Sequence, residues 1–276
     1  MTIAGIDIGT DYTQSVIVEN GELIATGETQ TGFDLEEALE TALKEAIAEA
    51  DVDEDHVDSV IVTGEGRKSV DADNQITSYR AIGHALAHQA DNARTVLLMG
   101  AKNAAALKID QDGNVLDFDE NDKCAAGVGR FLSDLTRFLD MDMSEMIEAA
   151  LSTNESVEEL NTQCSVFAES EVISLIHEDV TEASIARGVH EAIAERNSSL
   201  IRRVGAEDDI FLVGGVGRNE VFLESLEENI GKNVHVPENP AHTAAYGAAL
   251  IEETDADAEI EAGAEPGEKR QDIKIE

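Results

Sequence analysis

Two stretches of the chain share one order of predicted strands and turns, and this repeat limits the fold more than any other feature. Residues 3–28 predict a strand, a glycine turn, a second strand, a hairpin at Asn20–Gly21 and a returning strand. Residues 95–118 repeat that order, with a hairpin signal at Asp112–Gly113. The repeat predicts an α/β fold with a duplicated core and a cleft between its halves.

The length of 276 residues allows two lobes. We predict a first α/β lobe over residues 1–93 and a second over residues 94–252, which carries a mainly helical insertion at about 121–203. Pro240 is predicted to open the last helix of the second lobe. Residues 253–276 are acidic and lack a broad apolar stripe, which predicts a flexible tail.

Acidic residues dominate the charge, because 59 Asp and Glu against 19 Lys and Arg give a formal net charge of −40. They are spread along the whole chain, which is typical of halophilic proteins, whose salty cytoplasm screens such repulsion; the spread disfavours a single acidic patch. The lack of a basic stripe argues against nucleic-acid binding.

No apolar run reaches the roughly 18 residues of a membrane span, and no targeting signal opens the sequence, so we expect a soluble cytoplasmic protein.

Both cysteines of the chain precede a helical pattern. Cys124 lies in a loop of small residues before an amphipathic helix, and Cys164 precedes a second apolar pattern of helical spacing. Unpaired N–H groups at a helix start favour the thiolate, which is either a nucleophile or a metal ligand. Two inert buried thiols are the alternative. A disulfide is disfavoured in a cytosolic chain of this size.

A first candidate phosphate site follows the opening strand. Asp7 ends that strand, and Gly9, Thr10 and Asp11 form the turn. The backbone N–H groups of such a turn can hold phosphate, the Thr10 hydroxyl can donate, and Asp7 can hold hydrated Mg²⁺. A strand-turn-strand hairpin with a buried aspartate would explain the same residues without a ligand.

A second candidate site follows the predicted strand Ile210–Val213. Gly214 and Gly215 come next, and a helix is predicted from about Asn219. Glycines here would let the backbone approach a flat ring or a phosphate. A plain tight strand-to-helix turn is the alternative. Neither turn matches the GxxxxGK[ST] or GxGxxG pattern.

Taken in order, these motifs resemble the BadF/BadG/BcrA/BcrD ATPase family, which includes activases of 2-hydroxyacyl-CoA dehydratases and nucleotide-binding subunits of benzoyl-CoA reductase. The resemblance covers roughly residues 3–252 and is most specific in NDKCAAGVGRFL and CSVFAESEVISLI. The segments AGIDIGTDYTQSVIV, VTGEGR, FLVGGVGRNEVF and AAYGAALI support it.

The resemblance implies a fold and a set of cofactors. The fold is the duplicated ribonuclease-H-like core shared by acetate and sugar kinases, actin and heat-shock chaperones, with a helical cluster-binding region. It implies a homodimer, or a heterodimer with a related subunit, that shares one 4Fe–4S cluster between Cys124 and Cys164 of each chain. ATP/ADP with Mg²⁺ would drive transfer of a low-potential electron from a ferredoxin-like donor to a CoA-ester dehydratase or reductase component.

The resemblance also assigns roles to residues of the cleft. Asp7 would be catalytic. The nucleotide would be bound by Gly9, Thr10, Asp11, Gly100, Lys102, Gly214, Gly215 and Asn219.

One segment departs from the family pattern. The second phosphate loop of the family reads Asp-Ile-Gly-Gly-Gln-Asp-Ser-Lys, whereas this chain has LMGAKNAA at residues 98–105, and the internal repeat places Leu98 where the first unit has Asp7. Losing charge stabilisation of a transition state slows a reaction by orders of magnitude. The chain could therefore bind nucleotide and hydrolyse it poorly. Two alternatives stay open: a non-hydrolysing partner subunit of such a complex, and a small-molecule kinase with structural cysteines.

Overall fold

The chain folds into two five-stranded sheets flanked by helices. The computed structural model describes residues 1–121, 128–157, 160, 165–207 and 209–251. The first sheet is formed by β1 (Thr2–Ile8), β2 (Tyr12–Glu19), β3 (Glu22–Gln30), β4 (Ser59–Thr63) and β5 (Asn74–Gln75). The second is formed by β6 (Thr95–Met99), β7 (Ala104–Ile109), β8 (Val115–Glu120), β9 (Ile210–Val213) and β10 (Val234–His235). The helices are α1 (Leu35–Ala50), α2 (Ser78–Gln89), α3 (Gly129–Thr136), α4 (Met143–Leu151), α5 (Ser165–His177), α6 (Glu182–Arg203), α7 (Glu220–Ile230) and α8 (Thr243–Ile251).

The two sheets have one topology. The first has the order β3-β2-β1-β4-β5, and the second, followed from the matching edge, has the order β8-β7-β6-β9-β10. In both, three antiparallel neighbours are followed by two strands added in parallel. The predicted duplicated α/β core of the ribonuclease-H-like type is confirmed.

The strand pairing fixes which residues of the two units correspond. In the first sheet β1 lies beside β4 with Asp7 opposite Thr63, and in the second β6 lies beside β9 with Leu98 opposite Val213. Each of the paired positions is the last of its ladder. Leu98 therefore occupies the position of Asp7 in the second unit, as the sequence repeat predicts.

A glycine after the inner parallel strand of each unit touches the end of the central strand. Gly64 has φ +92°, and a Cβ built on it would lie 2.4 Å from the carbonyl oxygen of Ile8. Gly214 has φ +94°, and its Cβ would lie 2.3 Å from the carbonyl oxygen of Met99. Both the backbone conformation and the lack of space exclude a side chain. These two contacts bring the turns of each unit together at one edge of its sheet.

Helices α2 and α8 lie between the sheets and join the two units. Helix α8 follows the second sheet in the chain but packs on the first, where its Ala245 and Ala249 join a core with Ile3. Helix α2 follows the first sheet, yet its Ile82 and Leu86 belong to the core of the second. The two helices also contact each other along their length. Each unit thus supplies a helix to the core of the other.

The remaining helices cover the outer faces of the sheets. Helix α1 packs on the first sheet through Ala46 and Ile47, and the predicted helical region packs on the second in one large core that includes Leu135, Ile193 and Phe222. None of the helices in the described ranges has both the length and the apolar character needed to cross a membrane.

The predicted turns are borne out with one difference. Asn20 and Gly21 have φ of 53° and 82°, as a two-residue hairpin requires. In the corresponding hairpin of the second unit Gly113 has positive φ but Asp112 does not. The Asp110 carboxylate accepts backbone hydrogen bonds from Asp112 and Asn114, so this hairpin has a longer loop. Pro240 opens a short 3₁₀ turn that leads into α8.

Three predictions fall on residues outside the described ranges. They concern Cys124, Cys164 and the acidic tail at 253–276.

We expect Gly214→Ala to lower the free energy of unfolding by more than about 3 kcal/mol, because it adds a backbone clash to an unfavourable φ. Gly231→Ala is the matched control, since Gly231 has φ +67° but no atom within 4 Å of its built Cβ; we expect that variant to cost about 1 kcal/mol. Urea unfolding monitored by circular dichroism measures both. Equal losses would contradict the assigned contact with β6.

Candidate functional site

A cleft of about 530 Å³ opens between the two units at the ends of their central strands. The turns that follow β1, β4, β6 and β9 form its floor, and α3 and α4 form part of its wall. The structure brings together every predicted catalytic or nucleotide-binding residue except Lys102. The cleft is lined by Asp7, Gly9, Thr10, Asp11, Gly100, Gly214, Gly215 and Asn219, whereas Lys102 lies outside it.

The first turn is fixed by hydrogen bonds within its unit. The Gly9 N–H donates to the carbonyl oxygen of Tyr12 at 3.1 Å. Thr31, which follows β3, donates its backbone N–H to the carbonyl oxygen of Asp11 and its hydroxyl to that of Gly9, at 3.0 and 2.9 Å. Three hydrogen bonds therefore fix the backbone of this turn.

Asp7 is partly buried at the floor of the cleft. Burial, aided by the negative charge of Glu65, raises the pKa of its carboxyl from 3.8 to about 6. The Asp7 carboxylate lies so close to Gly64 that a Cβ there would approach its Oδ1 to 2.5 Å. A carboxyl with this pKa is ionised near neutral pH and can hold a hydrated cation or accept a proton.

The second unit presents a mainly apolar wall to the same cleft. Leu98 stands where the first unit has a carboxylate, and the wall continues through Leu132 of α3 and Met143 and Ile147 of α4. The turn itself closes as in the first unit, since the Gly100 N–H donates to the carbonyl oxygen of Asn103 at 2.9 Å. One side of the cleft therefore suits charged groups and the other a flat apolar ring.

The start of α3 is attached to the second turn. The N–H groups of Gly129 and Arg130 donate to the carbonyl oxygens of Gly100 and Ala101, both at 2.9 Å. The expectation of unpaired N–H groups at this helix start is therefore wrong for these two residues. The Arg130 guanidinium crosses the cleft and pairs with the Asp11 carboxylate at 2.8 Å.

The side chain of Asn219 stabilises the protein beneath the glycine turn. Its Oδ1 accepts from the N–H of Phe222 at 3.0 Å and caps α7, and its Nδ2 donates to Nε2 of His190 at 2.9 Å. His190 in turn bonds the carbonyl oxygen of Ala186 through Nδ1, and burial lowers the pKa of its ring, which is consistent with a neutral imidazole. Asn219 thus positions α6 and α7 under Gly214, and a nucleotide contact through its side chain stays a prediction.

Besides Glu28, three charged residues of the cleft were not assigned by the sequence. Glu65, Arg130 and Arg218 all line it, and Arg218 lies 3.7 Å from the carboxylate of Glu28 across the cleft. Each follows a glycine within a motif noted above, VTGEGR, NDKCAAGVGRFL or FLVGGVGRNEVF, and this position beside a turn is the signal that could have identified them.

Metal-ligand geometry is not found in the part of the chain that the structure describes. No group of three or more His, Cys, Asp or Glu side chains comes together there in a way that could hold a metal ion. The two cysteines lie outside that part.

Known proteins resemble this chain over nearly its whole length. The 2-hydroxyisocaproyl-CoA dehydratase activator of Clostridioides difficile is 35% identical over 251 residues, which cover 91% of this chain and 94% of the relative. One subunit of the benzoyl-CoA reductase of Thauera aromatica is 31% identical, with 91% and 93% covered. The solved structure of the activator of the 2-hydroxyisocaproyl-CoA dehydratase from Clostridium difficile with bound ADPNP has a TM-score of 0.86 at 32% identity, covering 95% of this chain and 100% of that one.

The family match agrees with the geometry of the cleft and with these relatives. It extends over residues 4–251, from β1 to the end of α8. The chain belongs to the BadF/BadG/BcrA/BcrD ATPase family.

Proposed function

We propose that the protein is a nucleotide-binding activator component that delivers low-potential electrons to a CoA-thioester dehydratase or reductase. One observation carries the proposal: the strand-end turns of both units and the Asp7 carboxylate line a single cleft. The bound ADPNP in the similar activator structure supports a nucleotide in that cleft. The names of the relatives support the class of downstream partner.

In this proposal the glycine turns bind the phosphates. Backbone N–H groups of Thr10, Asp11 and Gly215 would donate to phosphate oxygens. Those of Gly9 and Gly214 already donate to the carbonyl oxygens of Tyr12 and Pro240 and hold the two turns in place. Gly215 has no atom within 4 Å of its built Cβ, so space for a ligand exists beside that backbone. The Asp7 carboxylate would hold hydrated Mg²⁺, as carboxylates do in phosphate sites, and the apolar wall of α3 and α4 would contact the base.

Leu98 supports the prediction that this protein hydrolyses ATP slowly. Its position corresponds to Asp7, so the second unit offers an alkyl group where a second carboxylate would stabilise or orient the reacting groups. The same observation supports a second candidate function, a non-hydrolysing subunit that pairs with an intact relative. The two candidates differ in ATP turnover measured alone and with that relative.

The number of cysteine ligands fits a 4Fe–4S cluster shared by two chains. Two cysteine thiolates per chain give four in a dimer, the usual number for such a cluster, and the described residues offer no competing metal site. Cys124 and Cys164 would hold the cluster, which when bound accepts and donates one electron at low potential. A ferredoxin-like protein is the proposed donor.

Helix α5 supports a dimer. It begins at Ser165, directly after Cys164, and it exposes Phe167, Ile173 and Ile176 by 63%, 40% and 38% while its Ala168 and Val172 are buried. A helix that is apolar on several sides is normally covered. A second copy of this chain, or a related subunit, would cover α5 beside the cysteine.

Asp7→Asn should abolish Mg²⁺-dependent ATP turnover and yet stabilise the fold. The folded state binds the Asp7 proton more tightly than the unfolded chain, so ionisation of Asp7 lowers the free energy of unfolding as the pH rises from 3.8 to about 6. We expect the variant to gain up to about 3 kcal/mol at pH 7.5 and less at pH 5, measured by chemical denaturation. Turnover of the wild type should fall as the pH drops through about 6.

Asp110→Asn is the control for Asp7→Asn. Hydrogen bonds from Asn114 lower the pKa of Asp110, so its ionised form stabilises the native state and the variant should gain nothing at pH 7.5. A gain of equal size in both variants would indicate relief of general repulsion instead of relief of a buried charge at Asp7.

Anaerobically purified protein should contain about four irons per dimer and absorb visible light. Cys164→Ala should lose the iron and the absorption while retaining ADP binding, because the cleft is built from other residues. Iron analysis, visible spectra and ADP titration measure these outcomes. A colourless, iron-free wild-type dimer, or a Cys164→Ala variant with full iron content, would contradict the cluster assignment.

The acidic surface is proposed to be an adaptation to a salty cytoplasm. A formal net charge of −40 repels itself at low salt, and the Debye length falls to about 3 Å at 1 M. We expect the free energy of unfolding to rise from about 0.2 to about 2 M KCl, because screening of surface charges becomes nearly complete over roughly this range. Sucrose is the control, since it stabilises by exclusion without screening, and stability that is insensitive to KCl would oppose the proposal.

A further inference from the structure

Arg130 contacts both units at once. Its guanidinium pairs with Asp11 in the turn after β1, at 2.8 Å and across 119 positions of sequence. Its backbone N–H donates to the carbonyl oxygen of Ala101 in the turn after β6, at 2.9 Å. Arg130 is also the second residue of α3. Arg130 therefore links the first turn directly to the start of this helix.

The charges of the cleft make Arg130 a candidate for contact with phosphate. Within the described residues, the cationic side chains that line the cleft are Arg130 and Arg218, and each faces a carboxylate of the first unit. Arg130 is the one paired to the turn proposed to bind phosphate. The phosphates of a nucleotide bound here would lie near carboxylates, so a cation is needed to offset the repulsion. The planar guanidinium of arginine matches the geometry of a phosphate group.

The ion pair with Asp11 is open to exchange. The Arg130 side chain is 53% exposed and that of Asp11 is 25% exposed. Water screens such a pair, so it is weak. A phosphate group carries more charge and more acceptor oxygens than one carboxylate, and it forms stronger bonds with arginine.

We propose that a nucleotide phosphate replaces the Asp11 carboxylate as the partner of Arg130, and that this exchange reports nucleotide occupancy to α3. Asp11 then acts as a competitor that holds Arg130 in the free protein. The proposal rests on the proposed function of the cleft as a nucleotide site. It adds a specificity-determining residue, Arg130. It also gives a means by which nucleotide binding in the cleft affects α3, the helix that follows the Cys124 loop in sequence.

A double-mutant cycle with ADP tests the exchange. Calorimetric titrations without Mg²⁺ avoid metal contacts to Asp11 and compare wild type, Arg130→Gln, Asp11→Asn and the double variant. We expect Arg130→Gln to weaken ADP binding about tenfold or more and adenosine binding less than about twofold, since adenosine lacks phosphate. Asp11→Asn should tighten ADP binding severalfold in the wild-type background and by a clearly smaller factor in the Arg130→Gln background.

Hydrogen exchange tests the link to α3. Saturating ADP should change the exchange of the α3 amides in the wild type, and this response should be lost in Arg130→Gln at an ADP concentration that saturates the variant. Arg130→Lys, which keeps the charge without the fork, should give intermediate ADP affinity. An unchanged α3 response in Arg130→Gln would overturn the proposal, as would an equal loss of ADP and adenosine affinity.

Glu207→Gln is the matched control. Glu207 pairs with Lys108 at 2.8 Å, and neither residue lines the cleft. This variant should bind ADP as the wild type does. If the wild type binds ADP but the cycle shows no coupling between Arg130 and Asp11, the exchange is wrong and the nucleotide site stands; if the wild type binds no ADP, both fail.

Discussion

The approach of two glycines to the ends of the central strands determines the geometry of this protein. Gly64 rests on Ile8 and Gly214 on Met99, each with backbone dihedrals and clearances that only glycine allows. These contacts place the turns of each unit beside one another at the sheet edge. With α2 and α8 exchanged between the units, the two edges face each other, and the cleft is the space that remains between them.

The two units share one backbone topology but differ in the side chain near the end of the central strand. The first unit has Asp7, the pKa of whose carboxyl is raised to about 6, near the end of its central strand, whereas the second has Leu98 at that position. The second turn instead uses its carbonyl oxygens to hold the first residues of α3. A turn without a carboxylate can thus keep a structural role, because its backbone hydrogen bonds do not depend on which side chains it carries.

Much of the fold could be predicted from local signals, whereas the pairing of distant elements could not. Alternating apolar residues and the Asn20–Gly21 signal indicated the strands and the repeat, and the repeat alone placed Leu98 against Asp7. The exchange of α2 and α8 depends on small residues such as Gly247, whose built Cβ would lie 1.7 Å from the carbonyl oxygen of Ala81. No short-range sequence pattern predicts such a contact. The Arg130–Asp11 pair was missed for the same reason, since it joins residues 119 positions apart.

The position of α8 has a consequence for how the molecule is made. This helix completes the core of the sheet that contains the earliest strands, and Tyr246 donates a hydrogen bond to the carbonyl oxygen of Gly21 from 225 positions away. A nascent chain that has emerged from the ribosome only as far as β8 therefore shows an uncovered apolar face on its first sheet. The core on that face is completed only after α8 has been synthesised, so the face stays open to non-specific apolar contacts during most of synthesis.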